Sequence, residues 1–369
     1  VTARRMGVEE ELLLADAATG ELRPVARELL EACPPRAESD AEIKPEFFLA
    51  QLEVATRPHT DLAAIHGELA AARARIAEAA APIGVAPLAV PGPVLAGPAS
   101  GDAETSPDGR YDAIRRHYAE VARESLMCAL HVHVEVTDAE EGVAVIDRVR
   151  PWIPVLVALS ANSPYWHGRD SGYASWRSRV WNMWPTSGPA ELFGDARGYA
   201  AMVRSMVARG AALDPGLVNL DVRLSHRYPT VEFRVADVCT DLVDTVLVAA
   251  LARALVSDAA DRWRAGRPAD VWRVDELRGA AWRAARFGLG DTLVSPVSRE
   301  LVPADEVLRE LVDLVAEPLE AAGDTAVAVR GLAALERRGN GAERQRASFR
   351  AGGGLPAVLA DLRDRTLGG

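Results

Sequence analysis

Lysine is almost missing from this chain: a single residue, Lys44, stands among 42 lysines and arginines in 369 positions. It precedes Pro45, so no GxxxxGK[ST] loop exists, and any nucleotide must have its phosphates neutralised by arginine and metal instead. Cysteine is scarce as well. Cys33, Cys128 and Cys239 are widely spaced and form no CxxC pair, which argues against zinc or dithiol chemistry and for a reduced compartment. Apolar runs are short: the stretches 152–161 and 243–255 are too brief, or too interrupted by charge and proline, to supply the roughly 20 residues that cross a bilayer. The opening VTARRMGVEEELLL sets three glutamates where a secretion signal needs an apolar stretch. A soluble, cytoplasmic protein is the expectation. Positive charge is also in deficit, with a net charge of -11 and pI near 5.3. That balance disfavours nucleic acid and anionic membrane as partners, whereas metal, or a ligand carrying its own metal, fits it.

With 49% hydrophobic and 26% charged residues, the chain can bury a sizeable core. No composition shift resembles a linker and no repeat of fixed period occurs, so one domain over 1–369 is expected, mostly helical beyond about Pro268. Strands are expected at Met6–Leu14, Phe47–Thr56, Leu126–Val136, Val218–Leu224 and Thr230–Val238. Helices are expected near 24–32, 61–80, 111–124, 138–160 (bent at Pro151 and Pro154), 199–210 and 241–265. A short strand and a long loop fill 82–108 after the break at Cys33-Pro-Pro and the helix that follows it. The segment 162–194, rich in Trp, Arg, Gly, Ser and Pro, reads as a long ordered loop. Irregular alternation of strands and helices, with polar and apolar residues alternating along several strands, predicts an α+β fold. Its sheet is mainly antiparallel, with one polar face toward ligand and helices packed behind the other.

The polar faces carry the chemistry. Alternate residues of a strand share a face, so Glu9 and Glu11 point together with Gly7. A lone ExE reads as an edge strand facing water. In the second strand, however, Gln51 and Glu53 oppose Leu52 and Val54; Glu46, seven residues before Glu53, reaches that face only from the loop after Pro45 or through a bulge. In LHVHVEV, His131, His133 and Glu135 share a face, a pattern suited to metal or phosphate. In TVEFRVAD, Glu232 and Arg234 oppose Val231, Phe233 and Val235, and NLDVR before it places Asn219, Asp221 and Arg223 together. A cross-strand ion pair explains the last two alone. Four such strands together point to hard-oxygen sites for Mg²⁺ or Mn²⁺ with arginine at a transferring phosphoryl group.

The stretches MGVEEELLL, AQLEVAT, CALHVHVEV, LSANSPYWHGRDSGYASWRSRVW, TVEFRVADV, WRAARFG and GAERQR, in this order, resemble the glutamate-cysteine ligase type 2 family, also called carboxylate-amine ligases, within the glutamine synthetase-like superfamily. The resemblance implies a curved antiparallel sheet with helices on its convex side. Its concave face would bind ATP, Mg²⁺ (or Mn²⁺) and a glutamate-like acid, whose carboxylate is phosphorylated and then attacked by an amine. It places Glu9, Glu11, Glu53, His131 and Glu232, together with Glu46, at metal and ATP positions, with Arg234 on the transferred phosphate; Arg234, Glu232 and His131 are the catalytic candidates. His133, Glu135 and Arg223 join the substrate side. The loop with Arg169, Tyr173, Ser175, Arg177 and Arg179 resembles the segment that closes over the acid. A homodimer is common in such proteins. Two stretches depart from the family pattern: Glu135 stands where relatives carry glycine, and Val90-Pro91-Gly92-Pro93 replaces a Gly-Thr-His-Pro stretch. Two other readings stay open, a metal-dependent hydrolase built on His131, His133 and a carboxylate, and a catalytically weak relative that binds nucleotide or amino acid.

Overall fold

A computed structural model describes residues 3–33, 40–96 and 103–368. Pro34 and Pro35, and the middle of the 82–108 loop, lie outside them. Seven antiparallel strands build the main sheet: β1 (Met6–Asp16), β2 (Glu42–Pro45), β3 (Gln51–Ala55), β4 (Val85–Leu88), β5 (Ala129–Glu135), and, beyond the small hairpin of β6 (Tyr165–Trp166) and β7 (Arg169–Asp170), β8 (Val222–Leu224) and β9 (Thr230–Asp237). Their order is β2-β3-β1-β5-β9-β8, with β4 paired to the end of β1. Leu13 faces Gln51 on one side and Leu88 on the other, so β4 extends the β5 side. The α+β expectation holds, with helices packed around the sheet.

Alternation divides the sheet as the sequence suggests. Val8, Leu12, Leu52, Val54, Leu130, Val132, Val134, Val231 and Phe233 are buried in one contiguous apolar cluster that runs from Met6 to Leu362. Helix Leu62–Ala80 starts at an N-cap where Asp61 accepts from the Ala63 N–H, which satisfies an otherwise orphaned donor. Its Arg73 meets Glu10, the β1 glutamate of opposite parity to Glu9 and Glu11. That helix therefore packs behind the sheet. Helix Leu242–Arg264, buried along most of its length, contacts it and also touches β5 and β9.

Several details differ from the sequence reading. β2 is additional; at four residues it is too short to display alternation, and Pro45 at its end gives up no ladder donor that the sheet needs. The second strand begins at Gln51, and only Val222–Leu224 of the 218–224 stretch pairs with β9. The 138–160 helix is broken by a 3₁₀ turn at Arg150–Trp152, as its prolines require. Within 162–194, β6 and β7 turn through His167 and Gly168, both at positive φ, the pair of conformations a type I′ hairpin turn needs.

Candidate functional site

The ladder brings the polar positions into one row. Lys44 faces Glu53, Glu53 faces Glu11, Glu9 faces His131 and Gly7 faces His133, His133 faces Glu232, and Glu232 faces Arg223. Six strands thus contribute to one continuous polar face, an outcome of period-two alternation and pairing register. Glu46 joins it from the turn between β2 and β3.

Two groups of ligand atoms lie close enough together to hold a cation. Glu11, Glu46 and Glu53 form one, and Glu9, His133 and Glu232 the other, with the candidate atoms of each within 4.8 Å of one another. In the first, Lys44 Nζ lies 2.7 Å from Glu53 Oε1 and is the near cation. Burial, and then the charge of Glu53, push the Glu11 carboxyl up to about 7. Burial and the neighbouring glutamates raise Glu46 well above its ordinary value, and burial with Glu9 raises Glu53 against the pull of Lys44. Three crowded carboxyls that resist ionisation are what an all-oxygen site for a hard divalent cation looks like before the cation enters.

In the second group both carboxyls are already ionised. Burial opposes the charge on Glu232, but Arg234 and Arg223 outweigh it and hold the carboxyl far below its usual range. Arg223 grips it through Nε to Oε2 at 2.7 Å and Nη2 to Oε1 at 3.2 Å, while its Nη1 donates to the Gly216 and Val218 carbonyls. Arg234 Nη1 pairs with Oε1 from the same strand. Glu9 likewise stays ionised against burial, held by His131 and His133. His133 Nδ1 lies 3.0 Å from Thr230 Oγ1, and its buried Nε2 has no hydrogen-bond partner. That nitrogen sits 3.5 Å from Glu9 Oε2 and 4.0 Å from Glu232 Oε1. An imidazole fixed through one nitrogen, with the other directed between two carboxylates, has the form of a metal ligand with its outer support. Both donor sets therefore fit Mg²⁺ or Mn²⁺.

The other residues singled out from the sequence fall as follows. His131 lies 3.5 Å from Glu9 Oε2, and burial, reinforced by Arg234, lowers its pKa to about 4. His133, read as a substrate contact, is the imidazole of the second group. Arg177 is buried, donating to the Val235 and Arg234 carbonyls at 3.2 Å each, and its guanidinium and that of Arg234 lie 5.6 and 5.2 Å from the Trp181 ring. Tyr173 and Arg169 are absent from the linings of the cavities over the sheet: Tyr173 packs edge-on to Trp176 and accepts from Trp282 Nε1, and Arg169 is exposed on β7. Glu135 is exposed at the strand end, where it accepts the Arg5 N–H. Pro91-Gly92-Pro93 packs under the β6–β7 hairpin; a Cβ on Gly92 would lie 1.9 Å from the Trp166 ring, and the Pro93 carbonyl accepts from His167.

Asp237 and Arg110, the latter lining both cavities over the sheet, escaped the sequence reading. Simple alternation turns Asp237 away from Arg234, yet Val132 faces Phe233 while Leu130 faces Ala236, so β9 carries one extra residue between them. This bulge reverses parity. Asp237 thereby accepts from Asn162 N, Ser163 Oγ and Ser175 Oγ with Arg177 at 4.0 Å, clasping the 162–194 segment to the sheet. Only the DV ending of the strand, polar where apolar is due, could have signalled it.

Two cavities lie over this face, and a third adjoins them beside segment 178–189 and helix Val274–Phe287. One of about 720 Å³ contains both carboxylate groups, Lys44, Arg223 and Arg234. A second, of about 250 Å³, shares Glu11, Glu46, His131, Arg110 and Arg234 with it and adds Arg177, Tyr111 and Trp181. A third, of about 810 Å³, meets the second at Trp181 and Trp184.

The chain is similar to known proteins over nearly its whole length. Residues 5–360 match glutamate-cysteine ligase family 2 (GCS2). A Streptomyces coelicolor protein provisionally named glutamate–cysteine ligase 2 is 48% identical over 365 residues, covering 98% of this chain and 99% of its own. A Nocardioides protein provisionally named glutamate–cysteine ligase 2-1 is 47% identical over 373 residues, covering 98% and 96%. Among solved structures, glutamate–cysteine ligase from Francisella tularensis in complex with AMP is similar in fold at TM-score 0.67 and 13% identity, covering 99% of this chain and 89% of that one. A bifunctional glutathione synthetase from Pasteurella multocida gives 0.68 and 14%, covering 99% and 51%. A polar-faced antiparallel sheet, carboxylate groups at its centre and matches over nearly the whole length lead to one assignment: the chain belongs to the glutamate–cysteine ligase family 2.

Proposed function

We propose that this protein is an ATP-dependent carboxylate-amine ligase that phosphorylates a glutamate-like acid and joins it to an amine, giving a γ-glutamyl-type amide. The observation that carries the reading is the pairing of two carboxylate groups with Arg234 and Arg223 on one sheet face. Divalent metal held by Glu11, Glu46, Glu53 and by Glu9, His133, Glu232 supplies neutralisation of the nucleotide's phosphates. The chain's own residues do the rest. Arg234 faces the phosphoryl group as it moves from ATP to a carboxylate oxygen of the acid, where added positive charge stabilises the transition state. Arg223 is a positioning residue, fixing Glu232 through two hydrogen bonds and leaving Arg234 directed at the phosphate. Arg177 and Arg110 face the acid in the 250 Å³ cavity. ADP leaves with its new terminal oxygen negative, the amine nitrogen attacks the acyl carbon, the C–O bond to phosphate breaks, and the amine's surplus protons pass to solvent. His131, neutral near pH 7, lines both cavities and donates or accepts one hydrogen bond there without adding charge. A metal hydrolase would leave both arginines without a task.

The test is incubation with ATP, Mg²⁺, glutamate and a panel of amines that includes hydroxylamine. ADP accompanied by an amide or hydroxamate is expected; ATP left intact in every mixture would refute the proposal.

A further inference from the structure

The third cavity contains no residue of either carboxylate group and neither Arg223 nor Arg234, yet it is the largest of the three. Its walls are unusual in composition. Trp181, Trp184 and Trp282 supply aromatic surface, Arg179 and Arg278 supply guanidinium groups, and Asp221 supplies a carboxyl. Asp221 is held in place by its own backbone: its N–H donates to the Gly188 carbonyl and its carbonyl accepts from Arg234 N, so this carboxyl is tied to the strand that carries the phosphate arginine. Burial raises it to about 7, and Arg179 and Arg177 only partly offset this. Across from it, Arg179 Nε is buried without a hydrogen-bond partner, as are the indole N–H groups of Trp181 and Trp184.

We infer that this 810 Å³ cavity takes the amine substrate, and that the amine is an α-amino acid with a large aromatic side chain. This rests on the ligase reading above and deepens it. Size sets the first part: pockets of about 300–1,000 Å³ suit ligands of many atoms, whereas the 250 Å³ cavity beside the carboxylates suits a small acid. Order sets the second. Nucleotide, acid and amine would occupy the 720, 250 and 810 Å³ cavities in turn, so that the acid meets phosphate on one side and amine on the other, with Trp181 at the boundary. Chemistry sets the third. An acid facing two arginines separates the ends of a zwitterion, with Asp221 for the ammonium and Arg179 and Arg278 for the carboxylate, while three indoles offer stacking and cation–π surface.

With glutamate, ATP and Mg²⁺, L-tryptophan is expected to be ligated with kcat/KM at least about tenfold above cysteine or glycine. Tryptamine, which lacks the carboxylate, should fall below L-tryptophan, and Arg278→Ala should narrow that gap. Asp221→Asn and Trp282→Ala should each lower the ratio of L-tryptophan to hydroxylamine turnover about tenfold; Trp282 is part exposed, so its variant folds even if the other does not. If hydroxamate forms but cysteine or glycine outcompetes every aromatic amino acid, or if none of the variants moves the ratio, the inference is overturned and the ligase reading stands. If no hydroxamate forms, the ligase reading itself has failed.

Discussion

Glu232 and Glu11 sit on the same sheet face and respond to it in opposite ways. Glu232 is ionised because two arginines reach it; Glu11 resists ionisation because its neighbours are acids. Replacing Glu232 by Gln should lower turnover about 10²-fold or more, since the charge that orders Arg234 is gone. Arg223→Ala should have a milder effect and shift the acid limb of the rate profile upward, because Glu232 then keeps one arginine rather than two; an unchanged limb would show that Arg223 only packs. The same groups set how stability responds to pH. Glu232, with a depressed pKa, contributes stability present above its ordinary 4.5 and lost as pH falls toward its folded value. Glu11, raised to about 7, contributes stability that is whole below 4.5 and lost as pH rises through 7. In metal-free protein, stability should therefore decline from about pH 5 to about pH 8. Mn²⁺ should raise Tm more at the higher end, with protons released on binding. An equal gain at both ends in a thermal-shift series would contradict this. Most of these residues were legible beforehand, since parity along ExE, HxH and ExR needs nothing beyond the sequence. Asp237 was not, because a one-residue bulge reverses parity and leaves no mark in composition.

At the scale of elements, the back of the sheet is fastened by an ion pair that alternation assigns to the core. Arg73 donates to both oxygens of Glu10, at 2.8 and 2.6 Å, and to the carbonyls of Cys239, Thr240 and Thr366. It joins helix Leu62–Ala80, β1, the segment just after β9 and the C-terminal helix Gly354–Thr366 in one contact. Removing one partner of such a pair strands a buried charge, so Arg73→Ala should destabilise by about 3–5 kcal/mol in urea melts. Glu10→Leu combined with Arg73→Met should lose much less. Gly92 is a second fastening point. An alanine there meets the Trp166 ring, and about 1–3 kcal/mol of stability should go with it; Trp166→Ala in the same chain should restore part of it. Helix Leu62–Ala80 and β5 were easy to read because their periodicity runs over many residues. β2 and the β6–β7 hairpin were hidden because elements of two to four residues have no period to detect.

Across the whole molecule, the sheet puts acid and base chemistry on one face and the apolar core on the other, and the 162–194 segment closes one end through Asp237 and Arg177. Fold class followed from irregular alternation of helix and strand. The cavities did not, because they arise from strands, a helix and a loop segment that lie far apart in the chain. Among the described residues no helix is long and apolar enough to cross a membrane. The central claim is that a carboxylate oxygen of the acid accepts the phosphoryl group of ATP on this face. It is tested most directly with glutamate labelled with ¹⁸O in its side-chain carboxylate, ATP, Mg²⁺ and hydroxylamine, followed by mass analysis of the phosphate released. One labelled oxygen per phosphate, lost together with turnover in Arg234→Ala, is the predicted result; turnover that yields only unlabelled phosphate would contradict the account.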